Sequence, residues 1–216
     1  MHASAAHDPA RRRPPTPALG KLAIASAIYY AVAVLILHVV QRDLDPIDHF
    51  MSEYVRGPGG FVMTTTFFVW ALGIAGLAVA LRRRLDLAAR GKVGLVLLWI
   101  GALGIAGAGT FATDAGEPVT TAGVLHVLSG LLGLPALGVG LLLVSLGFRR
   151  NDRWRSLAPL AVTLALLFLA GFLSIMFVFA DGPGSGLVQR VAIGTVLVWM
   201  AVVGHRMGPR DPERRA

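Results

Sequence analysis

Residues Leu157–Ala180 read LAPLAVTLALLFLAGFLSIMFVFA, a stretch of 24 residues without a charged side chain. An α-helix rises 1.5 Å per residue, so this stretch would span about 36 Å, and the hydrocarbon core of a bilayer is about 30 Å thick. Lipid offers the backbone no hydrogen-bond partners, and such a stretch therefore crosses the membrane as a helix. The stretch predicts a membrane-spanning segment.

Five further apolar runs have nearly the same length and also predict membrane spans, namely Leu22–Val40, Phe61–Leu81, Val93–Ala112, Ala122–Leu146 and Leu187–Gly204. The last run is interrupted in its first turn by Gln189 and Arg190. The expected fold is all-α, a polytopic membrane protein built as a six-transmembrane-helix bundle. We expect residues 1–20 to be a disordered basic cytoplasmic tail, residues 21–207 the transmembrane domain and residues 208–216 a second cytoplasmic tail.

The composition agrees with lipid as the solvent. Of the 216 residues 55% are hydrophobic and 15% are charged, whereas soluble domains carry about 25% charged residues. This balance excludes a soluble enzyme, a disordered chain and a fibrous protein. The chain has no cysteine, which excludes disulfides, thiolate catalysis and cysteine-bound metals. The net charge of +8 lies in short clusters between apolar runs, so no nucleic-acid partner is expected.

The distribution of basic residues predicts the orientation in the membrane. Seventeen of the 20 Lys and Arg residues fall in the second and fourth loops, in the two tails, or directly beside the tails at Lys21 and Arg206. The exceptions are Arg42, Arg56 and Arg190. Basic loops stay in the cytoplasm, so both the N and C termini are expected to be cytoplasmic, in a multi-pass protein of the cell (plasma) membrane.

The first outer segment, residues 41–60, is rich in polar side chains and ends in Gly57-Pro58-Gly59-Gly60. We expect a short helix at about residues 46–54 that folds back over the bundle. The Gly/Pro turn then directs the chain into the second span, since proline is tolerated at the start of a helix.

An ordered set of motifs runs through the outer segments and the helix starts that follow them. Its members are Asp45-Pro46, Ser52-Glu53-Tyr54, the Gly57–Gly60 turn, Phe111-x-x-Asp114, Thr121-x-Gly123-x-x-His126, Gly186-x-x-x-Arg190 and Trp199. This set resembles the DUF998 family of six-span membrane proteins, from Leu22 to Met207. The resemblance implies the fold and the position of a site, but no reaction. One departure is Gln189, where an acidic residue is expected in many relatives.

Arg190 is costly in a membrane helix, so it should reach outward to water or find a partner. We expect an ion pair with a carboxylate at the same membrane level, with Glu53 or Asp114 favoured over Asp181. An alternative is that Arg190 holds the headgroup of an anionic ligand.

His126 has three interpretations. It could make a structural hydrogen bond, or form an acid–base set with Asp114 and Glu53. The same three residues could also bind zinc together with His38 or His49. No recognised motif supports catalysis or zinc, so no metal site is predicted and no cofactor is identified. Ser52 has no base at a recognisable spacing, which favours a role in ordering its loop.

The leading hypothesis is a binding or transport-like protein whose outward-facing pocket holds a small polar ligand or a lipid headgroup. Its expected lining is Ser52, Glu53, Tyr54, Asp114, His126 and Arg190. The rival is a membrane-embedded enzyme, a lipid hydrolase or transferase, that uses His126 with Asp114 or Glu53. A third hypothesis is a structural or accessory membrane protein. The lipid bilayer is the expected partner, and the sequence leaves the oligomeric state open.

Overall fold

The computed structural model describes residues 16–114, 116–180 and 182–208, and within them it is helical with no strand. The helices, in chain order, are α1 (Thr16–Val40), a 3₁₀-helix (Met51–Arg56), α2 (Gly60–Arg84), α3 (Ala89–Thr110), α4 (Thr121–Phe148), α5 (Asp152–Arg155), α6 (Ala158–Ser174) and α7 (Ser185–Arg206). A π-helical turn, Ile175–Phe179, continues α6.

The prediction of six membrane spans is confirmed. All the α-helices except α5 are long and apolar enough to cross a membrane, with the π-helical turn counted as the end of the fifth span. Residues 16–20 are already part of α1, where a disordered tail was expected. The rest of that segment, residues 1–15, lies outside the described residues, as do residues 209–216 of the expected C-terminal tail.

The six spans form a closed ring. Each long helix packs against the next one in the chain, and α7 packs back against α1. The closure is tight where Gly20 of α1 meets Gly204 of α7, because a Cβ atom on Gly20 would lie 2.4 Å from the Gly204 carbonyl oxygen. Two glycines therefore let the first and last spans approach closely.

Small residues also bring α3 and α4 together. A Cβ atom on Gly133 would lie 2.8 Å from the Cα atom of Gly104, and one on Gly107 would lie 2.7 Å from the Ser129 hydroxyl oxygen. These contacts place the small-residue faces of both helices inside the bundle.

The bundle has two chemically different ends. One end, called here the arginine-rich end, contains the start of α1, the end of α2, α5 and the end of α7. Hydrogen bonds join these elements, since Arg84 Nε donates to Thr16 Oγ1 at 2.7 Å and Arg206 Nε donates to the Arg153 carbonyl at 2.9 Å. The opposite end, called the cavity end, contains residues 41–59, 111–114, 116–120 and 182–184.

The first outer segment folds over the bundle as expected, but its helix is placed differently. A 3₁₀-helix at Met51–Arg56 replaces the helix expected at about residues 46–54. Asp45 accepts a hydrogen bond from the backbone N–H of Ile47 at 2.8 Å, which stabilises a local turn where the helix was expected to begin. Met51 and Tyr54 are buried, so the 3₁₀-helix covers the cavity end.

Candidate functional site

A cavity of about 680 Å³ lies at the cavity end of the bundle. Its walls come from α4, α6, α7 and the first outer segment, with residues of the α3–α4 loop at its rim. The π-helical turn after α6 contributes Ile175 and Met176 to the wall. Its volume falls within the range of about 300–1,000 Å³ that is typical of small-molecule sites.

The six residues predicted for the site divide into two groups. Ser52, Glu53, Asp114 and His126 line the cavity. Tyr54 and Arg190 are not among its lining residues; instead they contact each other beside it, where Arg190 Nη2 donates to the Tyr54 hydroxyl at 3.0 Å.

Arg190 is held by neutral acceptors. Its Nε donates to His38 Nε2 at 3.1 Å, and its Nη1 donates to the His49 carbonyl at 2.7 Å and to the Gly186 carbonyl at 3.0 Å. The expected ion pair with Glu53 or Asp114 is therefore wrong. The guanidinium donates instead to two carbonyl oxygens, an imidazole nitrogen and a phenol oxygen, and these acceptors replace a carboxylate. Asp181, the third expected partner, lies outside the described residues.

Glu53 pairs with a different arginine and orders its own segment. One carboxylate oxygen accepts from the backbone N–H of Phe50 at 2.8 Å, and the other contacts Arg56 Nη2 and His49 Nδ1, each at 3.1 Å. Arg56 also donates to the carbonyl of Asp114. Arg56 therefore connects the first outer segment to the α3–α4 loop across the rim of the cavity.

Asp114 stabilises the start of α4. Its carboxylate accepts from the Thr120 hydroxyl at 2.7 Å and from the Thr120 backbone N–H at 2.9 Å. The Thr120 hydroxyl in turn accepts from the N–H of Gly123 at 3.1 Å, capping the helix. The two hydrogen bonds from Thr120 hold the pKa of Asp114 below its ordinary value, because they favour the ionised carboxylate.

His126 is fixed by the end of the preceding span. Its Nδ1 lies 2.9 Å from the carbonyl oxygens of both Ala108 and Phe111, and acceptors on both sides require a proton on Nδ1. With Nδ1 donating, Nε2 is the ring nitrogen left to accept a hydrogen bond, and it has no partner within the described residues. Within the described residues, Trp70 Nε1 is the only fully buried side-chain nitrogen or oxygen that lacks a hydrogen-bond partner. His126 Nε2 also lacks a partner, so it is not fully buried and keeps accessible surface beside the cavity.

Gln189 is a lining residue that the sequence analysis did not assign to the site. Its Oε1 accepts from the backbone N–H of Met51 at 2.7 Å, which joins α7 to the 3₁₀-helix. A backbone N–H can only donate, so the side-chain atom of Gln189 that contacts Met51 is the amide oxygen. The Nε2 group of Gln189 makes no hydrogen bond to any residue that the structure describes. The sequence feature that could have identified Gln189 is an uncharged polar residue in the first turn of a predicted membrane span.

A smaller cavity of about 70 Å³ extends the site toward the centre of the bundle. It shares Ser52, His126 and Gln189 with the main cavity and reaches Trp70, whose buried indole N–H has no hydrogen-bond partner in the described part of the chain. The polar groups of the two cavities thus form one continuous lining.

The arrangement bears on the other chemical interpretations. His126 donates to carbonyl oxygens, while the carboxylates of Asp114 and Glu53 are held by Thr120 and by Arg56 and His49. The acid–base set is therefore not assembled. Within residues 16–114, 116–180 and 182–208, no three His, Asp or Glu side chains are grouped to hold a metal ion.

Comparison with known proteins places this architecture in a family. No curated protein and no solved structure matches the chain. The family model described as "Protein of unknown function (DUF998)" matches residues 23–206, which include all but the first turns of α1 and the whole of the site. The chain belongs to the DUF998 family.

Proposed function

We propose that this protein binds an amphiphile, such as a membrane lipid, in the cavity between α4, α6, α7 and the first outer segment. The observation that carries the proposal is that one cavity has a charged rim and an apolar wall that reaches the lipid-facing surface. This arrangement supports a binding or transport-like role, and among the residues that the structure describes His126, Asp114 and Glu53 do not form a catalytic set.

The apolar wall supports access from the bilayer. Val127, Leu131 and Met176 line the cavity and are also 52%, 39% and 40% exposed. On a membrane-spanning bundle such exposed side chains face acyl chains. Their exposure supports a wall that continues into the lipid-facing surface between α4 and α6, along which an acyl chain would lie.

The polar rim supports a neutral or amine-bearing headgroup. Asp48, Glu53 and Asp114 bring three carboxylates to the lining, and Arg56 brings one guanidinium. Arg56 is already engaged by Glu53 and the Asp114 carbonyl. The excess of carboxylates over guanidinium groups in the lining favours a cationic or zwitterionic group over an anionic one.

The inner polar groups can fix such a headgroup. The Gln189 amide offers donors, and His126 Nε2 offers an acceptor on the lining of the same cavity. A few convergent polar groups in an otherwise apolar pocket are typical of small-molecule sites. Tyr54 and Arg190 would support the site by holding α7 against the 3₁₀-helix, without touching the ligand.

Photolabelling with a defined lipid tests the proposal. The full-length protein is reconstituted into liposomes that contain phosphatidylethanolamine with a diazirine in one acyl chain. The liposomes are irradiated, and the labelled peptides of the protein are mapped. We expect label concentrated in the outer turns of α4 and α6, around Leu131 and Met176, and competed by unlabelled phosphatidylethanolamine more than by phosphatidylglycerol. Label spread evenly over all lipid-facing helices would overturn the proposal.

A further inference from the structure

A second large cavity lies at the arginine-rich end. It has a volume of about 890 Å³ and is formed by the last turns of α2, the α2–α3 loop and the first half of α3. Its lining shares no residue with the cavity at the opposite end. It is called here the basic groove, and its charged lining residues are Arg82, Arg83, Asp86 and Lys92.

The lining of the basic groove has more cationic side chains than carboxylates. Three cationic side chains line it against the single carboxylate of Asp86. Arg82 and Lys92 are exposed and make no hydrogen bond or ion pair with any residue that the structure describes. Their charges are therefore available to an anion, and an anion that contacts both would bridge α2 and α3.

The remainder of the groove is apolar and faces outward. Val96 and Trp99 line it and are 58% and 44% exposed. Trp99 follows Lys92 by seven residues, so the groove runs about 10 Å along α3 from the basic mouth toward the middle of the span. A soluble anion would use only the mouth, whereas a phospholipid would use the whole length.

We propose that the basic groove is a binding site for an anionic phospholipid. The phosphate lies between Arg82 and Lys92, and an acyl chain lies along Val96 and Trp99. Basic pockets between transmembrane helices at a positively charged membrane end take lipids of this class. This site is independent of the cavity at the other end, and it would attach the α2–α3 pair to one lipid molecule rather than to a diffuse layer of charge.

The test is native mass spectrometry of the full chain in detergent, titrated with phosphatidylglycerol and with phosphatidylcholine of the same acyl chains. The test variant is Arg82→Gln with Lys92→Gln. The matched control is Arg149→Gln with Arg150→Gln, which removes the same charge from two exposed arginines at the same end, outside the lining of the groove. Inorganic phosphate is included as a competitor, to separate a lipid site from a site for free phosphate.

We expect tighter binding of phosphatidylglycerol than of phosphatidylcholine, weakened about ten- to thirty-fold in the test variant and little changed in the control. Millimolar phosphate should leave the lipid bound. The proposal is overturned if both double variants weaken binding equally, if the two lipids bind alike, or if phosphate displaces the lipid. Equal weakening would indicate a general effect of charge, and displacement would indicate a site for the free anion.

Discussion

Arg190 donates a hydrogen bond to the hydroxyl of Tyr54 at 3.0 Å, and this contact joins the last membrane span to the 3₁₀-helix that covers the cavity end. The same guanidinium reaches His38 of α1 and the carbonyl of His49. One side chain of α7 thus connects the last span to α1 and to the first outer segment, whose contact residues lie 136 to 152 residues earlier in the chain.

Replacement of Arg190 should destabilise the fold through these contacts. Arg190→Ala removes four hydrogen bonds, and we expect a loss of about 2–4 kcal/mol in the free energy of unfolding in detergent. Tyr54→Phe should cost about 1 kcal/mol. Arg42→Ala, which removes one exposed contact to a backbone carbonyl, is the control and should cost well under 1 kcal/mol.

A double-mutant cycle measures the coupling. Arg190→Ala combined with Tyr54→Phe should cost less than the sum of the single changes, because both remove the same contact. Arg190→Ala combined with Glu53→Gln should be nearly additive, since the two side chains do not pair. Additivity with Tyr54→Phe together with coupling to Glu53→Gln would contradict this account and support the ion pair between Arg190 and Glu53.

Two glycines on α4, one turn apart, should respond oppositely to alanine. Gly133→Ala places a methyl group 2.8 Å from the Cα atom of Gly104 and should cost about 1–3 kcal/mol as α3 and α4 move apart. A Cβ atom on Gly130 meets nothing within 4 Å, so Gly130→Ala should be neutral or slightly stabilising. Thermal unfolding of both variants checks this. Equal destabilisation would contradict the close α3–α4 packing.

The Asp114–Thr120 contact should depend on pH. The pKa of Asp114 is lowered in the folded protein, so the stability from this contact is present above the ordinary carboxyl pKa, near 4, and is lost as pH falls through the lowered pKa. Thr120→Ala removes the side-chain donor and should raise the pKa of Asp114 toward its ordinary value. Carbon-13 NMR titration of labelled aspartate measures this, and an unchanged pKa in the variant would contradict the assigned cause.

The charges at the arginine-rich end predict the orientation in the membrane, with both termini in the cytoplasm. A reporter that is active only in the cytoplasm should be active when fused after Arg215 and inactive when inserted near Pro118. A reporter that requires translocation should give the opposite pattern. Activity of the translocation reporter at the C terminus would place the cavity on the cytoplasmic side of the membrane.

The spans and their number could be predicted because long apolar runs have one stable conformation in lipid. The closure of the ring by α1 and α7 could not be predicted, since a run that is apolar on every side does not indicate which helices it packs against. The approach of Gly20 to Gly204 becomes meaningful only once both helices are in place.

The end of the bundle at which the six candidate residues lie could be predicted, but not the contacts that they make. Four of the six predicted residues line the cavity because they fall at the cavity end by their place in the topology. The partner of Arg190 was predicted wrongly, because a guanidinium accepts any nearby oxygen or nitrogen acceptor and the choice depends on where the 3₁₀-helix places Tyr54. Gln189 was overlooked as a lining residue for the same reason: its contact with Met51 depends on that placement.

The most direct test of amphiphile binding is to fill the cavity. Gly130 lines it, while Gly194 of α7 is outside its lining, and a Cβ atom at either position meets nothing within 4 Å. Gly130→Leu and Gly194→Leu are therefore matched changes in two membrane helices. The measurement is the yield of label on the α6 peptide from photoreactive phosphatidylethanolamine. We predict that Gly130→Leu loses most of this label and Gly194→Leu keeps it, with both variants as stable as the parent chain. Undiminished labelling of Gly130→Leu would contradict the account.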